Sequence, residues 1–313
     1  MSKITILGAG NVGAAVAYAL IVGKTATRIV LIDVNKEKAV GEAMDMQQGI
    51  PFFGSANIIS GDYEDVAGSE IVVVACGLGR KPGQSRLDLA QTNVNIVKEV
   101  LPKAYKYAPD AVYVCVTNPV DIITYTAIKA CGIPEKQVIG TGTMLDSGRL
   151  RAKLGDRLHM SYSNIHAYVF GEHGDSSVVA WSLSNAMGTN IAEHYDLLGD
   201  LDFDFPAEKE EIEKYVRSSG AEIIKRKGNT QYAIALSVRE ICESIFNNLN
   251  ICIPVSGMIN NRYGVNDVCL SLPFVVGRKG IRREVNPPMT EEEIKGLQHS
   301  ADVLKGVISS LEI

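Results

Sequence analysis

A doubly wound α/β domain with a parallel sheet, followed by an α+β domain, is the fold class that three features of the sequence predict. Short β-branched runs alternate with longer segments of helical period through the first half. A glycine-rich turn joins the first run to the first helix. From about residue 160 the alternation gives way to mixed strands and long amphipathic helices. The 313 residues suit two domains of about 150 residues each. The expected division is 1–143 and 144–313, with the boundary near 143–149.

In chain order, strands are expected at ITIL (4–7), IVLI (29–32), IVVVA (71–75) and VYVCV (112–116). Their continuous apolar character implies burial on both faces, as in a sheet covered by helices on each side. Helices are expected at 12–23, 36–48, 91–108 and 120–131. The apolar run 165–170 reads as a strand that turns sharply into glycines. In the last helix Ile294, Leu297, Ala301, Leu304, Ile308 and Leu311 recur at three- and four-residue steps, so that face must pack on the domain core or on a neighbouring subunit.

Composition removes several classes of function. With 46% hydrophobic and 21% charged residues and no biased segment, the chain is an ordered globular protein. A net charge of -5, without clustered Lys and Arg, provides no field for nucleic acid or an anionic membrane. An anionic substrate must therefore be held by a few local arginines. Six scattered cysteines form no C-x-x-C and no Cys/His pair at zinc spacing, so no metal site is expected. Without a leader pattern or a long apolar run, the expected setting is a soluble, cytoplasmic one.

The glycine turn is Gly8-Ala9-Gly10-Asn11-Val12-Gly13, which fits G-x-G-x-x-G directly after a strand and at the opening of a helix. In that context the glycines admit a pyrophosphate to the N–H groups of the helix terminus, as in a Rossmann domain. Asp33 ends the second strand, where a carboxylate accepts hydrogen bonds from ribose hydroxyls and repels a 2′-phosphate. The cofactor implied is NAD rather than NADP, with a flavin as the lesser alternative. A plain glycine turn beside a surface Asp is the non-functional reading.

His173 stands in Gly171-Glu172-His173-Gly174-Asp175. Its ordinary pKa lies nearest neutrality, so it can give a proton to a carbonyl oxygen and recover it from a hydroxyl. A carboxylate partner would favour the protonated ring, and Asp146 and Asp175 are both candidates. Asp146 also stands three residues before Arg149, which on a helix surface would form an ordinary ion pair. The segment 77–88, with three glycines and three basic residues after the third strand, reads as a lid over an anionic substrate or as a solvated basic loop.

Together these residues resemble the lactate/malate dehydrogenase family over the whole chain. The resemblance rests on GAGNVG, Asp33, the lid ending in SRLDL, TNPVD (117–121), LDSGRLR (145–151) and GEHGDS (171–176), the last two being the most specific. It implies that His173 is the acid/base and Asp146 its partner. It implies further that Arg149 grips the substrate carboxylate through two parallel hydrogen bonds, and that Arg86 swings in with the lid to stabilise charge on the carbonyl oxygen. Asn118 would hydrogen-bond near the reacting carbon and the nicotinamide.

The substrate implied is a small 2-oxo or 2-hydroxy acid, and the position that reads its far end is Arg80. In the family an arginine there goes with oxaloacetate and a glutamine with pyruvate. Closing Arg80 over a methyl group would leave a buried guanidinium unpaired, a loss of roughly 2–5 kcal/mol, against about 1–3 kcal/mol gained per methylene in an apolar pocket. Malate and oxaloacetate are favoured on this ground, with lactate and pyruvate as the alternative. QSRLDL, and Thr230 in KGNTQYAIAL, resemble the lactate dehydrogenases.

The resemblance also implies a homotetramer or homodimer. Arg151 and His166 match positions that hold fructose 1,6-bisphosphate in some bacterial relatives, structural roles being the alternative. An NAD-binding sensor without chemistry would not need His173, Asp146, Arg149 and Arg86 together. An NAD-dependent glycosidase would need a metal.

Overall fold

The computed structural model describes residues 2–52, 54–79, 86–198 and 204–313, with the backbone alone at 86, 197 and 198. Four strand–helix units and one lone strand, β3, build the first half. They are β1 (Lys3–Leu7) and α1 (Asn11–Val22), β2 (Arg28–Ile32) and α2 (Lys36–Gly49), β3 (Asn57–Ser60), β4 (Ile71–Val74) and α3 (Arg86–Tyr105), and β5 (Val112–Cys115) and α4 (Val120–Lys129), closed by β6 (Val138–Gly140). Every residue of β4 and β5 is buried, which is why these runs carry no polar alternation.

The second half begins with α5 (Met144–Arg157). Short strands follow: β7 (Ile165–His166), β8 (Val169–Phe170), β9 (Val178–Val179), β10 (Asn185–Ala186) and β11 (Thr189–Asn190). Helices α6 (Ile191–His194), α7 (Phe205–Lys227) and α8 (Tyr232–Asn247) lead to the strands β12 (Ile251–Ile259), β13 (Val268–Gly277) and β14 (Gly280–Glu284), and α9 (Glu291–Ile308) ends the fold.

The principal sheet has nine strands in the order β14-β13-β12-β6-β5-β4-β1-β2-β3. From β6 to β3 neighbouring strands are parallel, with the order reversing beside β1, the arrangement of a doubly wound Rossmann sheet. The strands β12 to β14 join antiparallel at the β6 edge, where Ser256 opposes Gly140. The α+β half is therefore not a separate layer but an extension of the first sheet. One hydrophobic core runs through both halves, from Ile4 and Val73 to Leu272 and Leu304, and a smaller one holds Leu150, Leu154, Trp181 and Ile212.

Three expectations need correction. The helix placed at 91–108 starts at Arg86, because the SRLDL segment continues into the helix instead of closing the loop. The run 165–170 is two separate strands, since β7 pairs with β10 while β8 pairs with β9. The strands β3 and β6 went unread; one carries polar ends and the other has three residues ending in glycine. The apolar face of the last helix packs on the chain's own core through Leu297, Ala301 and Leu304. No helix among the described residues is long and apolar enough to cross a membrane.

Candidate active site

The glycine turn comes first in the chain. Gly8 has φ +103°, and a Cβ there would lie 2.6 Å from the carbonyl oxygen of Ala75; at Gly13 a Cβ would lie 1.8 Å from the carbonyl oxygen of Gly8. Only glycine lets the turn, the next strand and the helix approach this closely. Gly10 differs, for a Cβ there would meet nothing within 4 Å. Gly10 caps α1 without any side-chain hydrogen bond, and no acidic residue stands in the first turn, so Asn11, Val12 and Gly13 open the helix toward free space.

That is the cradle an anionic pyrophosphate requires. Asp33 closes its side: Oδ2 accepts from Ala9 N at 2.6 Å and Oδ1 from Asn35 N at 2.8 Å, fixing the carboxylate beside the turn. Each oxygen keeps a lone pair for a ribose hydroxyl. The residues present therefore fit NAD, whose bound form supplies a hydride acceptor or donor.

The loop that carries His173 is positioned by backbone hydrogen bonds to three distant elements. Gly171 exchanges both backbone hydrogen bonds with Ser271 of β13, at 2.9 Å each. Glu172 N donates to Ser300 Oγ of α9 at 2.6 Å, and His173 N donates to Asp121 Oδ2 of α4 at 2.8 Å. Helix α5 is held to β8, which leads into this loop, because Ser147 Oγ accepts from Val169 N at 2.9 Å and Thr143 Oγ1 donates to Val169 O. This clamp brings the first turn of α5 beneath the imidazole.

As a result Asp146 Oδ2 lies 2.6 Å from His173 Nδ1, while its Oδ1 accepts from Arg149 Nη1 at 2.7 Å. The Asp146–Arg149 pair is not a surface ion pair, since Asp146 is 6% exposed. With Nδ1 donating to the carboxylate, Nε2 is the ring nitrogen left to exchange a proton. Burial tends to raise the Asp146 carboxyl, but His173 and then Arg149 outweigh it and hold it below its ordinary value. Burial tends to lower His173, but Asp146 and then Asp121 outweigh it, so the ring keeps its proton above the usual histidine range.

These groups open on one cleft of about 300 Å³, lined also by Val12, Asn118, Thr230, Arg217 and Gly220. Asn118 is anchored through its carbonyl, which accepts from Asn93 Nδ2 at 2.7 Å, and the same Asn93 brackets Leu78 at the root of the glycine-rich segment. Asp175 also lines the cleft, but the ring nitrogen bonds Asp146. Arg80 lies outside the described residues, as does the Arg86 side chain, although its backbone opens α3. Arg151 and His166 stand away from the cleft; Arg151 Nη2 donates to Tyr162 O, and His166 pairs with Asn185.

Sequence reasoning missed Asp121, Ser300, Asn93, Arg217 and Gly220. Asp121 ends the TNPVD motif and so carried a signal; the others had none, because their roles depend on partners far along the chain. Among the described residues no group of three His, Cys, Asp or Glu side chains is arranged to hold a metal ion.

A dinucleotide cradle at the carboxyl edge of a doubly wound sheet, opening beside a carboxylate-paired histidine and an arginine, defines the class of NAD-dependent dehydrogenases acting on CH–OH donors. Residues 2–140 match the lactate/malate dehydrogenase NAD binding domain, and residues 143–312 the lactate/malate dehydrogenase alpha/beta C-terminal domain. The chain belongs to the lactate/malate dehydrogenase family. An L-lactate dehydrogenase of Thermoanaerobacter pseudethanolicus is 45% identical over 314 residues, covering 100% of both chains. One of Clostridium perfringens is 42% identical over 100% of this chain and 98% of its own. The minor L-lactate dehydrogenase of Enterococcus mundtii superposes with a TM-score of 0.95 at 35% identity, over 100% of this chain and 99% of that one.

Proposed function

We propose that the chain is an L-lactate dehydrogenase, interconverting pyruvate and L-lactate with NAD(H) bound by residues 1–143 and the acid held by residues 144–313. The observation that carries the acid/base chemistry is the His173–Asp146–Arg149 chain of hydrogen bonds, at 2.6 and 2.7 Å, on a cleft shared with the cofactor turn. Protonated His173 gives its Nε2 proton to the C2 oxygen in reduction and recovers it in oxidation. Asp146 fixes the tautomer and favours the imidazolium. Arg149, with Nη1 already oriented by Asp146, presents its remaining N–H groups to the substrate carboxylate. Arg86 stabilises charge on the C2 oxygen, Asn118 orients the carbonyl, and Thr230 lines the pocket.

Pyruvate is favoured because full-length relatives at 42–45% identity are L-lactate dehydrogenases and because Thr230 lines the cleft. A second reading, oxaloacetate and malate, has its own observations. Arg80 would supply a counter-charge for a second carboxylate, and Gly220 lines the cleft against Arg149, where a Cβ would already touch the guanidinium at 3.5 Å from Nη2. The test is kcat/KM for pyruvate and for oxaloacetate with NADH, in wild type and in Arg80→Gln. Pyruvate preference in wild type supports the first reading. An oxaloacetate preference that the substitution reverses supports the second.

The assembly we propose is a homotetramer or homodimer, supported by exposed apolar side chains on packed neighbours, Tyr18 and Val22 of α1 beside Tyr232 and Leu236 of α8. Sedimentation at micromolar concentration tests it, and a monomer would reject it.

A further inference from the structure

His173 is held by two carboxylates, and only one belongs to the mechanism above. Asp121 stands in the first turn of α4 and is 2% exposed. Its Oδ2 accepts the backbone N–H of His173 at 2.8 Å. Its Oδ1 faces the Ser256 hydroxyl of β12, and neither atom has any other hydrogen-bond partner among the described residues. A buried carboxylate held by one backbone N–H and one hydroxyl, with no cation of its own, is costly, so its place beside the imidazole needs a reason.

We propose that Asp121 is a positioning residue for the acid/base step: its carboxylate pins the backbone of His173 and, as a second negative charge beside the ring, holds the imidazolium against losing its proton. The proposal rests on reading His173 as the acid/base. Among the described residues no arginine or lysine pairs with Asp121. The charged groups around it are His173 and Glu172 on the same loop, with Asp146 and Arg149 reaching the far side of the ring from α5; the Cys269 thiol on β13 is held neutral by burial. Asp146 is already compensated by Arg149, whereas among the described cations Asp121 gains from His173 alone. The helix N-terminus adds a favourable dipole.

The protonation states agree in sign. Burial pushes the Asp121 carboxyl up to about 6, against the Ser256 hydroxyl and the His173 N–H that lower it. Above that pH the carboxylate is charged and favours protonated His173, the form that reduction consumes.

The experiment is kcat/KM against pH in both directions for wild type, Asp121→Asn and Ser256→Ala, with NADH binding followed by fluorescence. Asn keeps an acceptor for the His173 N–H and removes the charge. In Asp121→Asn the fall of the reduction rate at high pH should move down by about half a pH unit or more, near a threefold change in the protonated fraction. The rise of the oxidation rate should move equally, with NADH affinity within about twofold of wild type. Ser256→Ala keeps both charged groups and lets burial push the carboxyl higher, so its profiles should move the same way by less.

Profiles that coincide with wild type in variants that bind NADH would overturn the proposal. So would a loss of kcat with unmoved profiles, which would mark a merely structural contact. If Asp121→Asn does not fold, Ser256→Ala decides alone. An active His173→Asn would instead refute the acid/base reading while leaving the contact intact.

Discussion

Asp146 joins His173 Nδ1, at 2.6 Å, to Arg149 Nη1, at 2.7 Å, with one carboxylate oxygen for each. The candidate proton donor and the candidate substrate anchor are thereby held by a single side chain, and both must shift if it does.

Replacing His173 by Asn should cut turnover by about 10²–10⁴-fold, the usual contribution of a positioned acid/base. NADH binding should persist, because the cofactor turn at 8–13 and Asp33 are untouched. Stopped-flow turnover and fluorescence titration check the two halves, and residual activity within a few-fold of wild type would refute the role.

Asp146→Asn removes the largest influence raising His173 above its usual range. Reduction needs the protonated ring, so its rate is full at low pH and falls as pH rises through the His173 value. In the variant that fall should come at lower pH, together with a loss of kcat from the misplaced tautomer. A pH–rate profile unmoved from wild type would contradict the hydrogen bond's role.

Asn93 is 1% exposed and its amide ties Leu78, at the root of the glycine-rich segment, to Asn118 O. Asn93→Ala should remove these part-buried hydrogen bonds and loosen both sides of the cleft, at about 0.5–1.5 kcal/mol in stability. We expect a lower Tm and a raised KM for the acid, with the pH profile unchanged. Calorimetry and steady-state kinetics report these separately.

Asp33→Ser should weaken NADH by about tenfold or more, since it removes an acceptor for ribose and strands the Ala9 N–H. It should weaken NADPH less, because the charge that repels a 2′-phosphate is gone. Equal losses for both cofactors would mean that Asp33 serves only the turn.

The glycine turn, Asp33 and the apolar strands were legible because their cause is local: each residue's neighbours in sequence are its neighbours in space. The His173–Asp146 pairing was legible only as a motif, with Asp175 equally plausible on chemistry alone. Asp121 and Ser300 reach the catalytic loop from 52 and 128 residues away, a relation no periodicity encodes. The antiparallel strands β12 to β14 fall within the mixture of strands and helices expected after residue 160, but no local signal marks them as a continuation of the first sheet.

The seam between β6 and β12 bears on how the chain is made. β6 ends at Gly140 and its partner β12 starts at Ile251. During synthesis the parallel half can collapse with one edge bare, waiting for more than a hundred residues still to emerge. An open strand edge of this kind invites pairing with the wrong chain. Slow translation or truncation before residue 251 should therefore yield aggregate rather than a half-enzyme, which makes completion of the ribosome's work a condition for solubility.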